Sequence, residues 1–266
     1  MLQAQWRKKW FQARAWLHYW LRAVNEHSLH APFVYGLYQQ VIKPPVKKNA
    51  RIEALRQRLL NSTDRLEMHE LGAGSSISSS NIRPVSGIAR HSLTPVRFSS
   101  LLYHLVQHQE AKTILELGTS LGINTLYLAT AAPDGMVHTL EGCPRTAALA
   151  VQNFQEQNLS NIALHVGNID STLPKLLNKE LSRIDLAYLD ANHTYEATIR
   201  YFEWILPCLH RNSVVVVDDI HWSEPMQQAW SVLCQHQAVS LSLDLYEAGM
   251  LFFRPGMQKQ HYVLEY

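Results

Sequence analysis

From Thr113 onward the chain alternates short apolar runs with helical stretches, and few architectures accept that rhythm. "TILELG", "MVHTLE", "NIALHVG", "IDLAYLD" and "SVVVVDD" each read as a buried strand. "INTLYLATAA", "RTAALAVQNFQEQN", "STLPKLLNKE" and "TYEATIRYFEWILPCL" fall between them and read as helices. A helix between successive strands returns the chain to the same edge, so the strands run parallel. The implied fold is α/β, a doubly wound, Rossmann-like sheet. A further helix, "EPMQQAWSVLCQHQ", has Ser223 placed as its N-cap and Pro225 in its first turn. "AVSLSLDLY" and "GMLFFRP" then follow with only a short turn between them. That pair is expected to close the set at seven strands, with the last antiparallel and at an edge.

The 266 residues leave room for an extension ahead of this unit. Residues 1–84 are read as a helical extension ending in a Gly/Ser-rich segment, and residues 85–266 as the main domain. Residues 1–24 suit one helix. Trp6, Trp10, Ala13, Leu17, Trp20, Leu21 and Val24 form an apolar stripe, expected to dock on the rest of the protein or on a second copy in a homodimer. Arg7, Lys8, Lys9, Arg14 and Arg22 crowd the same stretch, which leaves membrane contact through residues 1–24 as the other reading. "KPP" at 43–45 breaks the chain, a charged helix follows over Asn49–Leu60, then a polar stretch over Asn61–Arg83, and a helix over 95–109. A net charge of +2 gives no reason to expect nucleic acid. Three cysteines without C-x-x-C spacing, no signal-type run and no long apolar span point to the cytoplasm.

Glu-Leu-Gly occurs twice, as "HELGAGSSISSS" (69–80) and "LELGTSLGINTL" (115–126). A glycine turn grips a nucleotide-type cofactor when a strand feeds it and a helix leaves it, because the helix N-terminus offers free N–H groups. Only the second copy meets both conditions. There Glu116 ends the strand, Gly118 turns the chain and Gly122 permits close packing or close approach. Glu141, at the end of the next strand, can accept hydrogen bonds from both ribose hydroxyls. That pattern alone serves NAD or S-adenosylmethionine, but Ser120 stands where a nicotinamide-type loop has its second glycine. The first copy, Glu70–Ser76, is read as part of a mobile lid over the site, together with the stretch to His91 and Arg97.

"ILELGTSLGINTLYLA", "TLEG", "GNIDSTLPKLL", "LDANHTY" and "VVVVDDIHW" together resemble the class I S-adenosylmethionine-dependent methyltransferases over about residues 85–255. The similarity is greatest to the O-methyltransferases typified by the catechol and caffeoyl-CoA enzymes and to uncharacterised bacterial relatives. The resemblance implies S-adenosylmethionine as cofactor, held by Glu116, Gly118, Gly122, Glu141 and Gly142. Thr119, Ser120 and Asn124 fall around the methionine end, Asn168, Ile169 and Asp170 along the adenine, and Asp190 beside the cofactor. The implied acceptor is a small hydroxylated molecule.

Asp190 ends the fourth strand, and Asp218 and Asp219 end the fifth. Three carboxylates outside the carboxyl ends of parallel strands repel one another, so either one holds a proton or a cation sits among them. Oxygen-only ligands suit Mg2+, Mn2+ or Ca2+. The resemblance implies the same metal site, with Asp219 replacing an Asn of the family. His193 stands where the catechol and caffeoyl-CoA enzymes have a lysine general base, and an imidazole there can accept a hydroxyl proton near neutral pH. Asp190 and His193 are therefore the expected catalytic pair. The rival readings are a metal-independent N- or O-methyltransferase and a cofactor-binding scaffold without turnover.

Overall fold

The computed structural model describes residues 2–67 and 82–266, which fall into two compact units. Pro44–Ser182 form one; Met1–Lys43 with Arg183–Tyr266 form the other. The Glu70–Ser76 segment and the lid expected there lie outside the described residues.

The chain opens with α1 (Leu2–Arg22) and α2 (Pro32–Leu37), the latter running on as a π-helical turn to Ile42 before the "KPP" break. In α1 the apolar stripe does not dock on the protein. Among the described side chains, Phe11, Ala15 and Tyr19, spaced four apart on the opposite side, are the buried ones, whereas Trp6, Trp10, Leu17, Trp20 and Leu21 are exposed. The reason is local fit. Ala15 lets the helix axis come close, and the Tyr19 hydroxyl donates to the Leu264 carbonyl at 2.6 Å. Indoles on that side would hold the helix off.

The Pro44–Ser182 unit starts with α3 (Ala50–Leu60), capped by the Asn49 side chain. Two three-residue strands, β1 (Arg65–Glu67) and β2 (Ile82–Pro84), pair antiparallel and lead into α4 (Val85–Ser92) and α5 (Val96–Gln109). The short strands and α4 replace the structureless run expected up to His91. Val85, Ile88 and Ala89 bury one side of α4, but eight residues are too few for that periodicity to stand out. The alternating part then begins with β3 (Thr113–Leu117), α6 (Ile123–Ala131), β4 (Met136–Glu141), α7 (Pro144–Glu156), β5 (Ile162–Val166) and α8 (Ile169–Lys179). β4 pairs in parallel with both β3 and β5. Leu115, Leu117 and Leu140 are fully buried, as two-sided cover of a parallel sheet requires.

In the other unit the alternation continues through β6 (Ile184–Leu189), α9 (Tyr195–Ile205), β7 (Leu209–Asp218) and α10 (Glu224–Gln235). β8 (Leu241–Asp244), β9 (Ala248–Phe252) and β10 (Gln260–Val263) follow. β6 and β7 are parallel, and β9 runs antiparallel between β7 and β8. The expected antiparallel edge is thus an interior strand, buried along its whole length. Gly249 explains part of this: a Cβ there would stand 2.3 Å from the Trp230 ring, so only glycine lets α10 cover β9. The outer position is taken by β10, which pairs in parallel with β8 and was not foreseen. The α/β, Rossmann-like alternation itself is as expected.

Candidate active site

The turn after β3 is built around two buried or half-buried acids. Gly118 and Gly122 have φ of 99° and 83°, and Ser120 has 48°, so the chain enters the left-handed region at alternate positions. This folds the Ser120 N–H back onto the end of β4, where it donates to Glu141 Oε2 at 2.8 Å. The Cys143 N–H donates to Glu141 Oε1, also at 2.8 Å. Each carboxylate oxygen keeps a second lone-pair site, so Glu141 can accept from two more donors such as ribose hydroxyls. Burial raises its proton affinity, and the two backbone donors oppose that.

Glu116 is fully buried. Its Oε2 accepts from Thr125 Oγ1 and, at 2.7 Å, from Thr139 Oγ1, while Oε1 is buried with no partner among the described residues. Burial pushes the carboxyl up to about 7, with a further push from the nearby Glu141 charge. An unpartnered acidic oxygen beside a glycine turn fits a cationic or N–H-bearing group. The residues present therefore suit S-adenosylmethionine, whose methionine end carries an ammonium. Gly122 serves close packing, one of the two tasks expected of it. A Cβ there would lie 2.4 Å from Phe154 Cε1, so the glycine is needed for packing against α7.

The other expected cofactor residues divide. Thr119 is buried and its hydroxyl pairs with Thr139 at 2.6 Å, extending the shell around Glu116. Ser120 Oγ donates to Ser92 Oγ at 2.8 Å. Asn124 is tied elsewhere: its amide donates to Thr94 Oγ1 and accepts from Ser99 Oγ, both at 2.7 Å, and Ser99 in turn meets the buried Arg56. Asn168 caps α8, accepting from the Asp170 N–H at 2.9 Å. Ile169 is buried, Asp170 is exposed and Gly142 is half-buried. Thr125, Thr139 and Arg56 escaped sequence reasoning, because a hydroxyl inside a helix or strand carries no local signature of the acid it serves.

In the second unit, β6 and β7 end side by side in parallel register, Leu189 opposite Val217. This sets Asp190 and Asp218 at neighbouring strand ends. Tyr188 lies between them, its hydroxyl 2.7 Å from Asp218 Oδ2 and 3.2 Å from Asp190 Oδ2. One hydroxyl proton serves only one acceptor. Burial, then the charges of Asp190 and Asp219, raise the Asp218 carboxyl well above the ordinary range. The Tyr188 hydroxyl donates to Asp218 at the shorter distance and opposes that rise. His193 Nε2 stands 3.4 Å from Asp190 Oδ1, and Nδ1 3.7 Å from Asp219 Oδ2. Asn192, His193 and Asp219 all have positive φ. Three non-glycine residues in the left-handed region at two adjoining loops is strain concentrated where side chains are aimed.

The donor atoms suit a hard cation, but the spacing does not gather them. Among the described residues, Asp190, Asp218 and Asp219 do not bring one oxygen each within 4.8 Å of the others. Tyr188 fills the gap between the first two and His193 the gap between Asp190 and Asp219. Two further residues join this end of the unit without any sequence signal. Trp222, four residues after Asp218, carries Lys8 Nζ 3.4 Å above its ring, and Gln12 donates to its carbonyl. Partial burial lowers the Lys8 ammonium, while Asp219 opposes that shift.

A family model described as a methyltransferase domain matches residues 115–220. A catechol O-methyltransferase of Niastella koreensis is 30% identical over 146 residues, covering 54% of this chain and 65% of that protein. Another, of Mycobacterium tuberculosis, is 34% identical over 126 residues, covering 47% and 54%. The chain thus spans less than two thirds of the length of these curated relatives. In three dimensions it is similar to an O-methyltransferase of Bacillus cereus solved with SAH, with a TM-score of 0.60 and 21% identity over 81% of this chain and 96% of that one. That likeness speaks for the fold.

Proposed function

We propose that this chain, a member of the class I S-adenosylmethionine-dependent methyltransferases, moves the cofactor's methyl group to a hydroxyl oxygen of a small acceptor. One observation carries the reading: the paired acids at the ends of β3 and β4, with Glu141 gripped by Ser120 and Cys143 and Glu116 left, among the described residues, one oxygen short of a partner. The names of the two relatives support oxygen as the acceptor atom and a catechol-like molecule as its class. The cytoplasm is the proposed compartment, on the sparse, odd cysteine set.

The bound cofactor supplies an electrophilic sulfonium methyl group. Glu141 would fix the ribose through its free lone pairs, and Glu116 would ionise against the ammonium. His193, flanked by two carboxylates, would take the acceptor's hydroxyl proton, and Asp190 would hold the imidazole with the correct nitrogen outward. Alignment of the acceptor behind the methyl would supply the larger part of the rate, up to about 7–11 kcal/mol in favourable cases.

Calorimetry with S-adenosylmethionine, S-adenosylhomocysteine and NAD tests the cofactor, and transfer of a labelled methyl to catechols tests the acceptor. Binding of NAD alone would reject the reading, and S-adenosylmethionine binding without transfer to any hydroxylated acceptor would favour the scaffold alternative. A second reading adds Mg2+, Mn2+ or Ca2+ among Asp190, Asp218 and Asp219. The crowding that raises the Asp218 carboxyl supports it, since a cation relieves the same repulsion. It requires Tyr188 to swing away. Full activity of chelator-treated, metal-free protein would sink this addition and spare the methyl transfer.

A further inference from the structure

We infer that α1 is a membrane-surface helix that binds anionic lipid bilayers in the interfacial plane, through its exposed tryptophan stripe. At about 100° per residue, Trp6, Trp10, Leu17, Trp20 and Leu21 span an arc of about 100°. The buried triplet Phe11, Ala15 and Tyr19 is centred on the opposite side. The helix is therefore held by one face and displays the other. Trp6, Trp10, Trp20 and Leu21 are 61–70% exposed, and Leu17 48%.

The chemistry of the stripe selects the occupant. Three of the five exposed side chains are indoles, with an apolar body and one N–H, the character that concentrates Trp at the headgroup level of bilayers. Trp16, beside the stripe, stacks on Trp20 with ring centroids 6.3 Å apart. Arg14 and Arg7 flank one edge of the arc and Lys9 the other, and α1 contains no Asp or Glu. Cations along both edges of an aromatic stripe complement anionic headgroups. Two copies packed through this stripe would instead bring like charges together with no acid on either helix to pair them. A helix of 21 residues is about 30 Å long, but none among the described residues is apolar enough to cross a membrane, so α1 lies in the surface.

The test is vesicle flotation of the full chain with phosphatidylcholine alone and with added phosphatidylglycerol. The protein should float with the anionic vesicles, and added salt should release it. Each cation near the surface contributes about fivefold to binding, so Arg7→Glu, Lys9→Glu and Arg14→Glu together should weaken it at least about a hundredfold. Trp6→Ser, Trp10→Ser and Trp20→Ser together should abolish flotation while circular dichroism and the melting temperature stay unchanged. Brominated lipids, which need no variant, should quench wild-type fluorescence. No flotation with any vesicle, or flotation undiminished by the tryptophan variant, overturns the inference. So does a wild-type dimer in sedimentation that the same variant turns into monomer, since a second copy would then cover the stripe.

Discussion

Glu116→Gln isolates one buried charge and separates its effect on folding from its effect on binding. The wild-type carboxyl is fully buried and is pushed up to about 7 from 4.5. Between those two values the folded chain retains a proton that the unfolded chain has released. Folded protein thus binds more protons than unfolded, and stability falls as pH rises through the window, levelling off above about 7. At 1.36 kcal/mol per unit the whole displacement is worth about 3 kcal/mol, of which about 2.5 kcal/mol falls between pH 5 and pH 8. Glutamine keeps the shape, and its oxygen can still accept from Thr125 and Thr139, but it does not titrate. Urea unfolding of both proteins at several pH values gives the difference curve, in which unrelated titrations cancel. The wild type should lose about 2.5 kcal/mol relative to the variant over that range, while the variant binds S-adenosylmethionine more weakly. Parallel curves would mean that Glu116 Oε1 is hydrated and titrates normally, and the picture of an acid held in reserve for a cationic ligand would fail.

Gly122→Ala should destabilise the fold by about 3 kcal/mol, from a Cβ 2.4 Å from Phe154 and a φ of 83°; a change in urea midpoint worth less than about 1 kcal/mol would contradict the packing role. Glu141→Ala removes the acceptor for two ribose hydroxyls, each charge-assisted bond being worth about 1.5–3 kcal/mol, so calorimetry should read cofactor affinity at least tenfold weaker. His193→Asn retains a side chain tolerant of positive φ and should lower kcat by about 10²–10⁴ with cofactor affinity unchanged; an equal loss of cofactor affinity would show a binding role instead.

The parts of the site that were legible in the sequence are those whose chemistry is local. Glu116, Gly118 and Ser120 stand on one strand–turn–helix passage, and Glu141 marks the next strand end, so pattern and context suffice. Asp190 and His193 are three residues apart on one loop, which brings His193 Nε2 to 3.4 Å from Asp190 Oδ1. What could not be read depends on which strands become neighbours. Tyr188 points to the strand ends only because β6 and β7 lie side by side. Thr139 reaches Glu116 only because β3 and β4 pair at Glu116 opposite Thr139. The interior place of β9 is likewise a matter of strand order, for which hydrophobic periodicity has no term. Asn124 shows the same limit: its amide meets Thr94 and Ser99, which come from a helix junction that the motif does not contain.

In α1 the stripe that periodicity picks out is not the face that packs. Periodicity detects the largest apolar stripe and assigns it to the interior, because burial of apolar area is the dominant favourable contribution to folding. The helix has two apolar faces, and the weaker one won. A face of Phe11, Ala15 and Tyr19 permits close approach and leaves the Tyr19 hydroxyl a carbonyl to bond, so little polar surface is buried unsatisfied. The tryptophan face would bury more area but would also drag Lys9 and Arg14 from water, with no acid on the helix to meet them. Desolvating two cations without partners outweighs the gain of several buried indoles. A surface with such a composition keeps its cations hydrated and its indoles half-wet only where one side is apolar and the other aqueous, and a lipid headgroup layer meets both conditions at once.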